Sequence, residues 1–417
     1  MMKKTLVALA ALTAAGAFAQ SQVTLSGRAS MDVSSFQTSG AAAAGDANNL
    51  ASRGRVADSG SRITFQAQET VDGVTAGVYC ETGMNIDNAS STGQANTTNN
   101  NTTTWCSREG RAYIGTSFAE IRLGRQNLYW TQGEINQTGS NFTGTDVLTN
   151  FVTGGISPTG TRLENVIMLK ANKDFGAFAN SEIYYGYGNG YEAAAGGVSP
   201  GNVTAVSTSV ATNLPMAQQN QHPGTYQGLK LQYSQGAHIA MLDIQNGTSV
   251  YNSLTSASSV FDKSASKFGY GYRFGNKDMN GVSSIVSFQY WTKSRTDKTT
   301  PAGTYASATG SASDNGYGLN ALYNVDSRIG LYAQYAMSNN ITGTSVGEQP
   351  DSGATGYTLG ATYRFSKRTH VYTAYHQINN GRIATYTLAG GNYASNGSSS
   401  SAGSQVNAMA LGFIHTF

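Results

Sequence analysis

Two arginines, Arg125 and Arg162, bound a long polar connection that carries two acids, Glu134 and Asp146. The connection, roughly residues 129–160, is rich in Asn, Thr, Gly and Ser. Connections beyond about 12–15 residues are usually either functional or disordered. Three more arginines, Arg62, Arg108 and Arg111, precede it on segments of alternating polarity. Rings of fixed charge around a water-filled passage sort ions by sign, and that is the chemistry these residues could do. The competing use is structural, with the arginines paired to Glu109, Glu120 and Glu164 or solvated at a rim. Covalent chemistry is harder to build, because it needs a nucleophile or activated water beside a base. His222 and His238 fall in or beside connections, and His415 falls near the chain end with Leu411, Phe413 and Phe417. His370 and His376 share a strand face but are too far apart to hold one metal. HExxH does not occur, and no catalytic residue, metal or cofactor is expected.

The elements that position the arginines are strands. Residues 111–116 and 121–126 alternate apolar and polar side chains around the break Ser117-Phe118-Ala119-Glu120, which is a half-buried hairpin. Arg111 takes its polar face. Arg125 shares parity with Ile121 and Leu123, so Gly124 is expected to bend or bulge the strand and turn it inward. In SRITFQAQE, Ile63, Phe65 and Ala67 face one way and Arg62, Thr64, Gln66 and Gln68 the other; after Val71-Asp72-Gly73 the chain returns in VTAGVYCE. One face suits lipid and the other water.

The pattern continues as strand, long polar connection, strand, tight turn. Long connections are expected at 85–107, 189–224, 247–264, 294–315, 339–354 and 380–404, and short turns at 172–176, 235–236, 275–281, 326–327 and 366–368. That asymmetry describes an outer-membrane barrel of about sixteen strands. The fold class is all-β, a transmembrane antiparallel up-and-down barrel. Aromatics gather near strand ends as Tyr184, Tyr185 and Tyr187, Tyr270 and Tyr272, Tyr290 and Trp291, Tyr332 and Tyr335, and Tyr372 and Tyr375, as in a girdle at the lipid boundary.

Address and composition agree. Lys3 and Lys4 precede a short apolar run ending Ala17-Phe18-Ala19, a secretory signal over residues 1–19 that leaves 20–417 as the barrel domain. Charged residues are only 12% of the chain, while Gly number 50 and Tyr 24, which suits a wall apolar on alternate residues. Net charge is +3, or +1 once the two signal lysines are lost, which gives no clustered basic face for nucleic acid. Cys80 and Cys106 fit no zinc spacing, and an oxidising periplasm permits a disulfide between them.

SRITFQAQETVDGVTAGVYCETG, RAYIGTSFAEIRLGRQ, RLENVI, LGATYRFSKRTHVYTAYHQINN and the terminal LGFIHTF together resemble the general diffusion porins of betaproteobacteria. The resemblance covers most of the chain after residue 19 and is strongest at strands. It departs from the family where the long connection lacks a Pro-Glu-Phe-Gly stretch and where Thr416 replaces Arg or Lys. It implies a trimeric sixteen-stranded channel whose third outer loop folds into the lumen. It places Arg125 and Arg162 at a constriction facing the loop acids. It also implies an outer-membrane location and passive diffusion of small hydrophilic solutes and ions. Insertion by the outer-membrane assembly machinery would read the last strand through Phe413 and Phe417. On placement of charge, the expected ion preference is modestly anionic. An enzyme of the outer membrane, or an adhesin with a closed lumen, is the alternative.

Overall fold

The computed structural model describes residues 22–40, 52–84, 86, 105–128, 147–153, 162–188, 224–251, 258–300, 307–343, 349–388 and 402–417. The expected signal segment lies outside them. The first nine strands are β1 (Gln22–Ser39), β2 (Arg53–Asp58), β3 (Arg62–Val71), β4 (Val74–Gly83), β5 (Glu109–Gly115), β6 (Ala119–Asn127), β7 (Arg162–Ala171), β8 (Glu182–Gly188) and β9 (Gly224–Gln235). The rest are β10 (His238–Tyr251), β11 (Ser258–Lys277), β12 (Ser283–Thr300), β13 (Ser307–Asn324), β14 (Ile329–Ser338), β15 (Ala354–Arg364), β16 (Thr369–Asn380) and β17 (Gln405–Thr416). One short helix, α1 (Val147–Thr153), falls between β6 and β7. From β3 onward each strand pairs antiparallel with the next, and β17 pairs with β1 from Gln405↔Ser39 to Thr416↔Arg28. The sheet is therefore closed.

Seventeen segments make sixteen crossings, because β2 and β3 are two halves of one strand lying along the same edge of β1. The upper half pairs Phe36↔Arg53 to Met31↔Asp58, and the lower half pairs Arg28↔Arg62 to Gln22↔Gln68. Between them Ser59, Gly60 and Ser61 oppose only Ala29 and Ser30, a one-residue bulge. The Asp58 carboxylate accepts from the Gly60 and Ser61 amides at 2.7 and 2.9 Å, and Gly60 takes φ +99°, a conformation that favours glycine. The upper half is not evident as strand from the sequence. Gly54, Arg55 and Ala57 do not alternate in hydropathy, and only pairing with β1 reveals it as strand.

Two long connections expected at 247–264 and 294–315 are also mostly strand, since β10–β13 run 14, 20, 18 and 18 residues. A barrel strand needs about 9–11 residues to cross a bilayer. The excess carries Thr248, Asp262, Ser264, Ser294 and Thr296 where the outer face would otherwise be apolar. Those polar ends lack the alternation that marks a strand in lipid, which is why they read as loop.

The outer face carries the exposed apolar residues, among them Val23, Leu25, Phe65, Ile114, Leu169, Phe288, Leu359 and Leu411. The inner face carries Ser30, Asp32, Thr64, Glu81, Gln232, Asp243, Gln289, Asn320 and Thr358, all buried. No described helix is long and apolar enough to cross a membrane. The short turns close with local polar bonds. At 325–328 the Arg328 and Ile329 amides donate to Asp326 at 2.6 and 2.8 Å, and these two amides, Ile329 foremost, hold its carboxyl below the usual carboxylate range.

The aromatic pairs split between faces, since consecutive residues in a strand must point opposite ways. Tyr185, Tyr270, Tyr272, Tyr290 and Tyr335 are exposed outside, whereas Tyr184, Trp291, Tyr332 and Tyr372 are buried inside. The inner rings share one device. Tyr113, Tyr184, Tyr226, Trp291, Tyr332 and Tyr372 stand directly opposite Gly77, Gly228, Gly247, Gly316, Gly360 and Gly412. A Cβ on Gly77 would lie 2.7 Å from the Tyr113 hydroxyl, and each of the other five glycines is overlain in the same way. Glycine opposite each ring lets it lie along the wall and keeps its bulk out of the lumen. This accounts for part of the glycine content.

Candidate functional site

The wall of β1–β7 gathers the arginines. Arg62 lies 3.4 Å and Arg108 2.5 Å from opposite oxygens of the same carboxylate, Glu81, which is buried on β4. Arg111 pairs with Glu109 and sets its guanidinium over the Tyr79 ring, 4.0 Å from the centroid. Arg28 stands directly opposite Arg62 and donates to Ser30 Oγ at 3.2 Å. Arg162, at the head of β7, is in electrostatic reach of Arg108, Glu81, Glu109 and Arg125. Arg55 acts on Asp32, whose carboxylate also accepts the Tyr372 hydroxyl at 2.8 Å. In this cluster six cations (Arg28, Arg55, Arg62, Arg108, Arg111, Arg162) stand within reach of four acids (Asp32, Asp58, Glu81, Glu109), a surplus of two, while Arg122 pairs with Glu120 lower on β6.

Of the expected site residues, Arg62, Arg108, Arg111 and Arg162 come together around Glu81 and Glu109. Arg125 is placed differently from expectation. Gly124 does take φ +128°, and the register with β7 slips beside it, where Asn165 takes φ +54°. The alternation nevertheless runs straight through, because Gln126 and Leu128 continue on the buried face. Arg125 therefore shares the row of Gly110, Cys80 and Phe65, the outer row. Its guanidinium pairs with Glu164 and donates from Nε to the Ser107 carbonyl at 3.0 Å. Glu134 and Asp146 lie outside the described residues.

Arg28 and Glu81 were not read as site residues from the sequence. Parity could have found both: Arg28 begins the inner run Ser30, Asp32, Ser34, and Glu81 follows Cys80 on the polar side of β4. A second missed feature needs register to be seen. Glu120, Lys170, Glu182, Lys230, Asp243 and Lys267 stand opposite one another in sequence across six adjacent strands. Lys230 lies 3.0 Å from Glu182. Three acids and three lysines make this row neutral. Above it Lys263 and Arg295 face each other directly with no intervening acid in the row.

The long connection contributes α1, whose amide and carbonyl ends are both held by the inner wall. Val147 N donates to Thr358 Oγ1 at 3.3 Å, and Lys293 Nζ donates to the Phe151 carbonyl at 3.2 Å while lying 3.3 Å from Asp314. Thr358 Oγ1 is in turn 2.9 Å from His376 Nδ1, so that histidine supports a strand–helix contact.

Cys80 and Cys106 are joined by a disulfide with Cα atoms 4.6 Å apart, on the outer side of the strand heads. Cys106 sits in a turn with φ +60° ahead of β5 and not on the strand itself. In the chain-entropy view, closing a loop with separation 26 contributes about 3 kcal/mol. Labelling the denatured, unreduced protein with a maleimide is expected to find no free thiol; two reactive thiols per chain would contradict the bridge.

A family model described as Gram-negative porin matches residues 5–382. A search of curated proteins found no match. Among solved structures, an anion-selective porin from Comamonas acidovorans is similar at 20% identity and TM-score 0.59, over 95% of this chain and 100% of that one. The outer-membrane-expressed OmpT of Vibrio cholerae is similar at 12% identity and TM-score 0.61, over 95% and 98%. An OmpF from Salmonella typhi in complex with daunomycin is similar at 14% identity and TM-score 0.55, over 96% and 98%. A closed barrel with an apolar outside, a charged inner wall and a family match across most of its length lead to one conclusion: the chain belongs to the Gram-negative porin family, and is an outer-membrane channel for diffusion of small solutes.

Proposed function

We propose that this channel passes small hydrophilic solutes with a modest preference for anions, and that the arginine wall of β1–β7 sets the preference. The observation that carries it is the surplus of guanidinium over carboxylate there. The fold is shared with a porin that is itself anion-selective, which agrees in sign. The hold of Thr358 and Lys293 on α1 supports the reading that this helix narrows the lumen, with Arg162 at the root of the connection that carries it. Arg125, tied to Glu164 and the Ser107 carbonyl, braces that root from outside. We further propose a homotrimer, as the Vibrio cholerae OmpT fold has been seen in trimer form. The chain is then a channel and no enzyme, with described histidines engaged in wall contacts such as Thr358–His376 and Thr369–His415. Liposomes containing the purified protein are expected to swell in isosmotic solutions of small sugars and progressively less as sugar size rises. No swelling with any solute would favour a closed-lumen barrel.

A further inference from the structure

On one side of the inner wall Phe36, Ala336, Ala354, Ile378, Val406 and Ala408 face inward from β1 and β14–β17. Apolar side chains on the water side of a channel need a cover. Two separate segments provide it. One is α1, through Val147, Leu148, Phe151 and Val152; the other is the stretch 381–388 between β16 and β17, through Ala384, Tyr386 and Leu388. The two covers meet at a stacked pair, with the Phe151 and Tyr386 rings 4.8 Å apart between centroids and inclined by 17°.

Each cover is also pinned to the wall by its own polar bonds. The Tyr386 hydroxyl lies 2.8 Å from Ser338 Oγ on β14. Asn380, the last residue of β16, accepts from Tyr386 N at 2.8 Å, and donates to the Tyr386 carbonyl at 2.9 Å and the Ser404 carbonyl at 2.8 Å. The Gly403 amide closes the stretch onto the Ala384 carbonyl at 3.0 Å. Beneath the helix the wall is cut back to glycine: a Cβ on Gly356 would meet Phe151 at 3.0 Å, and one on Gly318 would run into Leu148. Room is thus made on the strands for α1, and Tyr386 holds it there.

We propose that the stretch 381–388 is a second element inside the lumen and that Tyr386 is an aperture-determining residue, fixing how far α1 stands from the wall. The proposal rests on the channel reading above. The constriction would then be built by two loops acting through one aromatic pair. Removing the pair widens the passage and loosens α1, whereas removing only the Tyr386 hydroxyl leaves the stack in place.

Single-channel recording of purified, heat-modifiable wild-type, Y386A, Y386F and F151A proteins tests this, with sugar-dependent liposome swelling on the same material. Y386A and F151A should raise conductance by about 1.5-fold or more, with a noisier open state and a larger sugar limit. Y386F should stay near wild type. Because Phe151 and Tyr386 act as one unit, F151A/Y386A should add little to either single change. A folded Y386A with wild-type conductance, noise and sugar limit overturns the proposal while leaving the channel reading intact. A wild type that passes no current overturns the channel reading itself. If Y386A does not fold, Tyr386→Leu, which keeps the apolar cover but removes the planar stack, carries the same expectation and the same contrary result.

Discussion

Replacing Arg62, Arg108 and Arg162 together by Ser should turn the channel from anion- to cation-preferring. The wall of β1–β7 would keep Arg28, Arg55 and Arg111 against Asp32, Asp58, Glu81 and Glu109, so a surplus of two positive charges becomes a deficit of one. A unit charge about 6 Å from the ion path in water is worth about 0.7 kcal/mol. A Debye length of about 8 Å at physiological salt leaves roughly half of that. Three charges removed penalise anions and relieve cations alike, so the effects add in the ratio of permeabilities to about 2 kcal/mol. With about 1.4 kcal/mol per decade, the ratio should move by an order of magnitude or more. The Lys triple variant keeps the charges and should keep the sign. Glu81, stripped of both partners, faces water and can rehydrate, so the Ser variant should still fold. An unchanged zero-current potential in the Ser variant would show that selectivity is set elsewhere.

The second large effect concerns closure. β17 is bonded along one edge to β16 and along the other to β1, and it is the strand that completes the ring. Without residues 405–417 two edges would lie open in lipid, at several kcal/mol for each unsatisfied backbone group. No heat-modifiable barrel should form. Deleting Phe417 alone is a finer probe. Phe417 N donates to the Gly27 carbonyl at 3.1 Å, its carbonyl accepts from Gly27 N at 3.0 Å, and its ring overlies Gly27 where any side chain would collide. The last residue thus makes the final two bonds of the closing seam. Phe413, exposed on the outer face four residues earlier, is the other aromatic we propose the assembly machinery reads. Loss of Phe417 should lower folded yield several-fold while leaving the conductance of surviving channels near wild type. Normal yield on a heat-modifiability gel would contradict this.

Legibility in the sequence followed the solvent contrast across the wall. Where lipid lies on one side and water on the other, as in β3, β4 and β17, alternation revealed strand, face and turn together. Where water lies on both sides, as in the heads of β10–β13, the contrast vanishes and strands read as loop. Arg62 and Arg111 were assigned correctly to the inner face because parity within one strand decides them. Arg125 was misread because a glycine that bends a strand need not reverse its alternation, and only the register with Gly110 and Leu163 reveals this. The neutral row from Glu120 to Lys267 and the Phe151–Tyr386 stack join residues far apart in the chain. No local pattern contains them.

An open, water-filled passage lined by this arginine wall should favour anions. The most direct test is the zero-current potential of the wild-type protein in a planar bilayer under a potassium chloride gradient. Stable ohmic steps are expected, with a potential whose sign shows chloride more permeant than potassium by a small factor. A potential of the opposite sign, or no steps at all in correctly folded protein, would contradict it.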